Sequence, residues 1–440
     1  MAFIQPRDRV LEKSTSNSQS VFALAGAVDA SFNRFSASMS VGDTTVGAVV
    51  EPGVAFKSGI LTYTNTNEIT VSVVFDSKGT FSPSGTKQVF MDLPAGLAFP
   101  KKNYIINGAM MVSQENGGVA GPGSAYYPVD MFACSAGTSG ALTAGQVASA
   151  TPAGSPNRLR LTVTGADTSV GSSDYAQIIH AIEGYRVADL RSGSSAAKTV
   201  TLKFGVKAPA GTYCVAFGNS AGNRSYVAEY TISAGEANTD VVKSVTLTLD
   251  TTGTWLANSG KGIDLRFFLM GGSSFQTATP NTWIGSAAYC TSNQFNFMGT
   301  NGNVFELFDV GLYEGSAAPA FQVPDFAAEL HLCQRYWEKS YGMAAFAGSV
   351  SSADCIEFYV TFGIGAYQMP TVPFKVRKRA GPTIAFYPDI GGAAGTVNAV
   401  VAGIRAASLD TAGECGFSLF GSGMSAPDLV RFHYVANARL

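Results

Sequence analysis

Along TVTLKFGVK (Thr199–Lys207), Val200, Leu202, Phe204 and Val206 fall on one side of an extended chain, and Thr201, Lys203 and Lys207 on the other. A period of two marks a strand with one buried and one wet face. The same alternation recurs in RLRLTVT (Arg158–Thr164), SVTLTL (Ser244–Leu249) and GIDLRFFLM (Gly262–Met270), with Gly-, Ser- and Asn-rich turns between them. Earlier, EITVSVVFD (Glu68–Asp76) alternates through Ile69, Val71, Val73 and Phe75, and TKQVFMDLP (Thr86–Pro94) gives another strand. Later, CIEFYVTFG (Cys355–Gly363), the proline-spaced QMPTVPFKVRKRAGPTIAFYP (Gln368–Pro388) and DLVRFHYVANARL (Asp428–Leu440) read as strands with turns. The small-residue run Ser135–Pro156 predicts a loop. So many short strands predict a mainly β, multidomain chain. Its middle is expected to be two antiparallel sheets packed face to face, a jelly-roll sandwich.

One stretch breaks the pattern. In DFAAELHLCQRYWEKSYG (Asp325–Gly342), Phe326, Leu330, Cys333 and Trp337 recur at spacings of four, three and four, which is one face of an α-helix. Asp325 suits the N-cap and Gly342 the stop. The apolar stripe predicts burial against a neighbouring domain or a second copy. The chain then divides into a small β-module at 1–100, a sandwich at 101–322, a linking amphipathic helix at 323–342 and a C-terminal β-domain at 343–440.

Charge narrows the function. With 29 basic and 31 acidic residues the formal charge is −2, which argues against an electrostatic nucleic-acid binder. Charged residues make up 14% of the chain, against about a quarter in an ordinary soluble protein, so much surface is expected to be hidden in an assembly. No apolar run approaches the roughly 18 residues that span a bilayer, and MAFIQPRDRVLEKS turns polar too early for a signal peptide. The six cysteines are scattered without a CxxC pair, so reduced, buried thiols and synthesis in a cytosol are expected.

Several segments carry a resemblance. DRVLEKSTS (Asp8–Ser16), ALAGAV (Ala23–Val28), VGDTTVGAVV (Val41–Val50) and GTKQVFMDLPAG (Gly85–Gly96) look like a small β-module that begins appendage proteins of tailed bacteriophages and prophages. There it fixes the appendage to the virion. NYIINGAMMVSQENGG (Asn103–Gly118) resembles the opening of jelly-roll modules in phage tail proteins. The likeness continues through IEGYRVADL (Ile182–Leu190), GNSAGNRSYVAEYTI (Gly218–Ile232), DTTGTWLANSGKGIDLRFFLMGGSSFQT (Asp250–Thr277), TPNTWIGSAAY (Thr279–Tyr289) and GTNGNVFELFDVGLYEG (Gly299–Gly315). Where that family carries an aspartate–arginine–tryptophan cluster, this chain keeps Asp130 but has Met131 and Phe132. ELHLCQRY (Glu329–Tyr336) resembles the string that follows the jelly roll in the same proteins. The resemblance implies a tail fibre or similar virion appendage, a homotrimer made in the bacterial cytoplasm. Residues 1–100 would engage other virion proteins, and the sandwich, similar to carbohydrate-binding modules, would meet host-surface polysaccharide. No nucleic-acid partner, no membrane insertion and no cofactor are expected.

Sugar binding asks for aromatic platforms and a few polar groups. Trp255 and Trp283, two of only three tryptophans, lie in polar loop contexts, with Tyr226 and Asn223 as further candidates. The competing reading is that both indoles close the edges of the sandwich core. Glu183, Asp189, Asp264, Glu306 and Asp309 are candidates for the carboxylate pair of a glycosidase, but the sequence lacks the repeated coils of an enzymatic tailspike. A binding protein with no catalytic residue is therefore expected. A purely architectural virion protein is the alternative, and a polysaccharide depolymerase the third reading. Asp250, Asp264, Glu306 and Asp309 offer oxygens to a structural calcium. KVRKR (Lys375–Arg379) reads as a solvated edge strand or as a patch for an acidic surface.

Overall fold

The computed structural model describes residues 10–91, 101–360, 365–424 and 427–440. The first nine residues of the β-module, its residues 92–100 and the end of the strand expected to reach Gly363 lie outside the described residues. The chain forms two compact units, Met1–Lys101 and Lys102–Leu440, built from four antiparallel sheets.

In the first unit, six strands pair in the order Leu11–Ser14, Lys87–Met91, Thr44–Glu51, Ala55–Asn65, Glu68–Lys78, Val21–Ala23. Phe22, Phe35, Leu61, Tyr63, Ile69 and Val89 form its core. The alternation expected through Val73 stops at Val71, and Val73 and Val74 are exposed. The register shift against the facing strand at Ile60/Leu61 turns Val73 outward, since an extra residue flips the faces beyond it.

The second unit begins with the sandwich. One sheet runs Val241–Thr248, Thr199–Lys207, Val304–Glu314, Asn157–Gly165, Ala141–Ala148, Gly121–Pro122. The other runs Trp283–Ile284, Ser225–Ile232, Gly211–Gly218, Lys261–Gly271, Tyr175–Glu183, Phe132–Gly137, Tyr126–Val129. Leu161, Leu202, Phe204 and Leu312 from the first sheet pack on Ile178, Val215, Leu265 and Phe267 from the second, with Phe204 edge-on to Phe267 at 5.1 Å. The stretch expected as a loop at Ser135–Pro156 contains the second half of Phe132–Gly137 and all of Ala141–Ala148. Its small residues admit close sheet packing: Leu142 and Ala144 are buried, and a Cβ on Gly145 would lie 3.2 Å from Ala120.

The C-terminal sheet gathers around Asp428–Asn437, which pairs with Trp337–Lys339, Ile356–Val360, Thr383–Tyr387 and Thr396–Ala399. Phe386, Val397, Phe417, Val430, Phe432 and Tyr434 form its core.

The helix is shorter than the spacing predicts. It spans Phe326–Gln334, with the Asp325 carboxylate accepting from the Ala328 N–H at 2.9 Å. Trp337, expected on its face, lies instead in a strand opposite Asn437. Phe326 is exposed, and the buried stripe is Glu329 and Cys333 with Leu330 beside them. Spacing alone cannot tell a fourth helical turn from a turn into a strand that buries the same tryptophan.

Candidate functional site

Two segments that carried the resemblance, more than two hundred positions apart, meet in the structure. Asn103 accepts from the Ile105 and Leu312 N–H groups (3.0 Å each) and donates to the Val310 carbonyl. The Asn107 N–H donates to Glu329 Oε1, and its side chain clasps Val112 and Asp130. Gln114 donates to Asp130 Oδ2 (2.5 Å) and to the Trp337 carbonyl (2.9 Å). Arg335 binds Glu183 through two nitrogens (2.8 and 2.6 Å), and the Tyr336 hydroxyl donates to the same carboxylate at 2.6 Å. Burial pushes Glu183 up, but Arg335 and Tyr336 outweigh it and hold the carboxyl below its usual range. Asp130 is raised by burial. These residues hold the sandwich to the C-terminal sheet.

The KVRKR cluster belongs to the same joint and is neither a solvated strand nor an open basic patch. Lys378 is fully buried, 2.5 Å from Glu338. Arg379 donates to the carbonyls of Ala438, Arg439 and Ser259, and Lys375 Nζ to that of Lys339. Lys375 and the Arg377–Glu414 pair are the exposed members of the cluster.

The candidate carboxylates are likewise taken up. Glu306 pairs with Arg158 and Arg160, Asp264 with Lys261 and Arg266, Asp189 with Lys102 and Tyr104, and Asp309 with Ser155 and Thr151. Asp250 pairs with Arg224. The residues offered for calcium therefore do not converge, and among the described residues no group of three or more His, Cys, Asp or Glu side chains could hold a metal ion.

The outer face of the seven-stranded sheet is closed by the chain itself. Cys214, Ala216, Val227 and Phe268 lie under Phe275, Ala288, Tyr289 and Cys290, and Arg266 stacks on Tyr289 at 4.1 Å. Nearer the other edge, Arg439 and Leu440 cover Ile179 and Ala181, leaving a cavity of 30 Å³. Ligand access falls to the loops at the strand ends and edges.

There the structure brings three of the four sugar-site candidates together. Trp283 pairs across from Tyr226 on the outermost strand of one sheet, and their rings are 5.4 Å apart. Its indole N–H donates 2.9 Å to the carbonyl of Thr248, at the end of the outermost strand of the other sheet, so Trp283 bridges the two edges. Trp255 meets Trp283 edge to face at 5.3 Å and 86°. The turn that carries it is fixed by Asp250, which accepts from the N–H and hydroxyl of Thr252 (3.0 Å each), and by Gly253 at φ +77°. The Trp255 indole N–H donates to the Thr252 carbonyl at 3.0 Å. Both indoles are half-buried against the core while Tyr226 is inside it. Edge closure and a partly exposed aromatic corner thus coexist.

Polar groups line this corner. Arg224 forms a two-point pair with Asp250 (2.5 and 3.0 Å). Burial raises the Asp250 carboxyl, but Arg224 and the Thr252 donors hold it below the usual range. Asn223 is exposed, its carbonyl oxygen accepting from buried Asn219 at 2.7 Å. Asn219 also accepts from the N–H groups of Asn223 and Arg224 and donates to Thr254. It is the residue sequence reasoning missed. The signal for it was an asparagine opening a tight Ser-Ala-Gly-Asn turn. With Arg224 neutralised by Asp250, the corner suits a neutral, hydroxyl-rich ring better than a charged one.

No protein-family model and no curated protein matches the sequence. Among solved structures, the chain is similar to the family 11 carbohydrate-binding module of a Clostridium thermocellum cellulosomal cellulase (12% identity, covering 45% of this chain and 96% of the module, TM-score 0.24). It is similar to TmCBM61, solved in complex with beta-1,4-galactotriose (10% identity, 49% and 99% covered, TM-score 0.25). It is also similar to the enzymatically active domain of tailspike protein 4 of bacteriophage CBA120 (12% identity, 48% of this chain, TM-score 0.24), of which it spans 21%.

Proposed function

We propose that this chain is a glycan-binding appendage protein of a tailed phage or phage-like particle, and that it binds without cleaving. The observation that carries the binding is the corner of Trp255 and Trp283, drawn from separate segments, with both indole N–H groups held by backbone carbonyls. Rings fixed in advance lose little freedom when a sugar stacks on them, and Asn223 and Arg224 supply polar contacts at the rim. The absence of cleavage is supported by the ion pairing of the candidate carboxylates. Glu183, despite its burial, and exposed Asp189 are both held below their usual range, opposite to what a general acid needs. Location on a virion, attachment through residues 1–100 and trimeric state rest on the sequence resemblance. Several weak sites on one particle would add up to firm adsorption.

The test is an array of bacterial surface polysaccharides probed with the full-length protein and with Trp255→Ala and Trp283→Ala. Loss of one stacking ring should weaken binding about tenfold, for roughly 1–1.5 kcal/mol per ring. Equal binding by both variants refutes the site, and new reducing ends from any polysaccharide refute the non-enzymatic reading. The sealing of the two sheet edges by Trp283 favours a second reading, a purely architectural role. A silent array with a correctly folded protein would support it.

A further inference from the structure

The outer face of the C-terminal sheet is unlike the rest of the molecule. On Asp428–Asn437, core residues Val430, Phe432 and Tyr434 alternate with outward Leu429 and Arg431. Register carries that outward row across the neighbours: Tyr359 lies opposite Leu429, Glu357 and Asn398 flank Arg431, and Ile404 lies opposite Asn398. Val400 and Val401 form the hairpin tip beside Leu429, where the Val400 N–H donates to the Leu429 carbonyl at 2.9 Å. Ile390 and Val350 extend the face past Gly391 and Gly392, where a Cβ would lie 3.0 Å from Val350 and 3.8 Å from Ile404. Val350, Val401 and Tyr359 are 76%, 73% and 70% exposed, and Ile390, Val400 and Ile404 about half.

We infer that this face is a self-association surface whose occupant is a second copy of the same chain. The six residues leave roughly 600 Å² open, at the upper end for a monomer's largest apolar patch and most of the about 800 Å² each partner buries in a standard interface. The two solvent-facing charges within the face pair, Glu357 with Arg431 at 2.8 Å, while buried Asp389 accepts from Asn398 at 2.7 Å and lies 4.0 Å from Arg431. It therefore leaves no solvent-facing charge of this row unpaired for a charged ligand, polysaccharide or nucleic acid. A neutral apolar surface of similar extent complements it, and the face itself is one. Copies related by a rotation axis present it to one another. The inference deepens the avidity in the proposed function by naming the surface that brings copies together.

The test reads mass, without any glycan, by sedimentation velocity on the full-length protein. The wild type is expected as one discrete oligomer at micromolar concentration, and Val401→Asp with Tyr359→Asp should reduce it to single-chain mass with unchanged circular dichroism. Val242→Asp, at a 54% exposed position on the sandwich, should leave the oligomer intact and shows that one added charge is not enough. A wild type of single-chain mass at about 100 µM, or a double variant that keeps the oligomer, overturns the inference. Because no sugar enters the measurement, a silent polysaccharide array counts against glycan binding and leaves this surface standing.

Discussion

Replacing Lys378 by Met should destabilise the joint by several kcal/mol. Lys378 and Glu338 are both fully buried, 2.5 Å apart. Glu338 Oε1 also accepts from the Tyr434 hydroxyl at 2.6 Å and the Lys375 N–H at 3.1 Å, and Lys378 donates to the Gln334 carbonyl at the helix end. Methionine keeps most of the volume and removes the cation. A dry carboxylate is then left with neutral donors only, and breaking a buried pair in this way costs about 3–5 kcal/mol, a large share of the about 5–15 kcal/mol that stabilises a domain. At about 2–4 °C per kcal/mol, the calorimetric melting transition of the second unit should fall by roughly 10 °C. Adding Glu338→Gln should recover at least about 2 kcal/mol, because a neutral amide is easier to bury than an orphaned charge. If Lys378→Met melts within about 2 °C of the wild type, these groups do not depend on each other as the geometry requires.

Three further outcomes are expected. His180 is buried beside Phe132, and burial holds its imidazole down to about 3, below the ordinary value near 6.5. The unfolded chain therefore binds the extra proton between those values, and stability is lost as pH falls through that window, by up to about 5 kcal/mol. His180→Leu should lose less between pH 7 and pH 4 in urea titrations, and an equal loss would rule out this cause. Gly108→Ala places a Cβ 2.0 Å from the Val310 carbonyl oxygen and should cost about 2 kcal/mol or more in a melting experiment, whereas Gly381→Ala, with open space around it, should stay within about 0.5 kcal/mol. Trp283→Phe removes the donor to Thr248, and hydrogen exchange at that sheet edge should speed up several-fold if the indole holds the two edges together.

The sandwich was legible because its strands are half-buried, so Val200, Leu202, Phe204 and Val206 had to alternate with Thr201 and Lys203. Ser135–Pro156 was not, because small residues serve in a tightly packed strand as well as in a loop. The end of the helix was hidden by Trp337, whose spacing fits a helical face while its backbone pairs with Asn437. Trp255, Trp283 and Tyr226 could be singled out by type, but their convergence follows from the pairing of Tyr226 with Trp283, which no local pattern encodes. KVRKR was misread for a related reason. A buried lysine depends on its carboxylate, and Glu338 lies forty positions away.

The contacts of Asn107 with Glu329 and of Gln114 with Trp337 bear on how such chains could be shuffled. A crossover between residues 114 and 325 would pair one parent's donors with the other parent's acceptors, and since the Asn107 N–H and the Trp337 carbonyl are backbone groups, hybrids should fold only where both parents share Gln114 and Glu329. Exchange of the C-terminal sheet alone is better cut after Lys339, provided the incoming piece restores a lysine opposite Glu338.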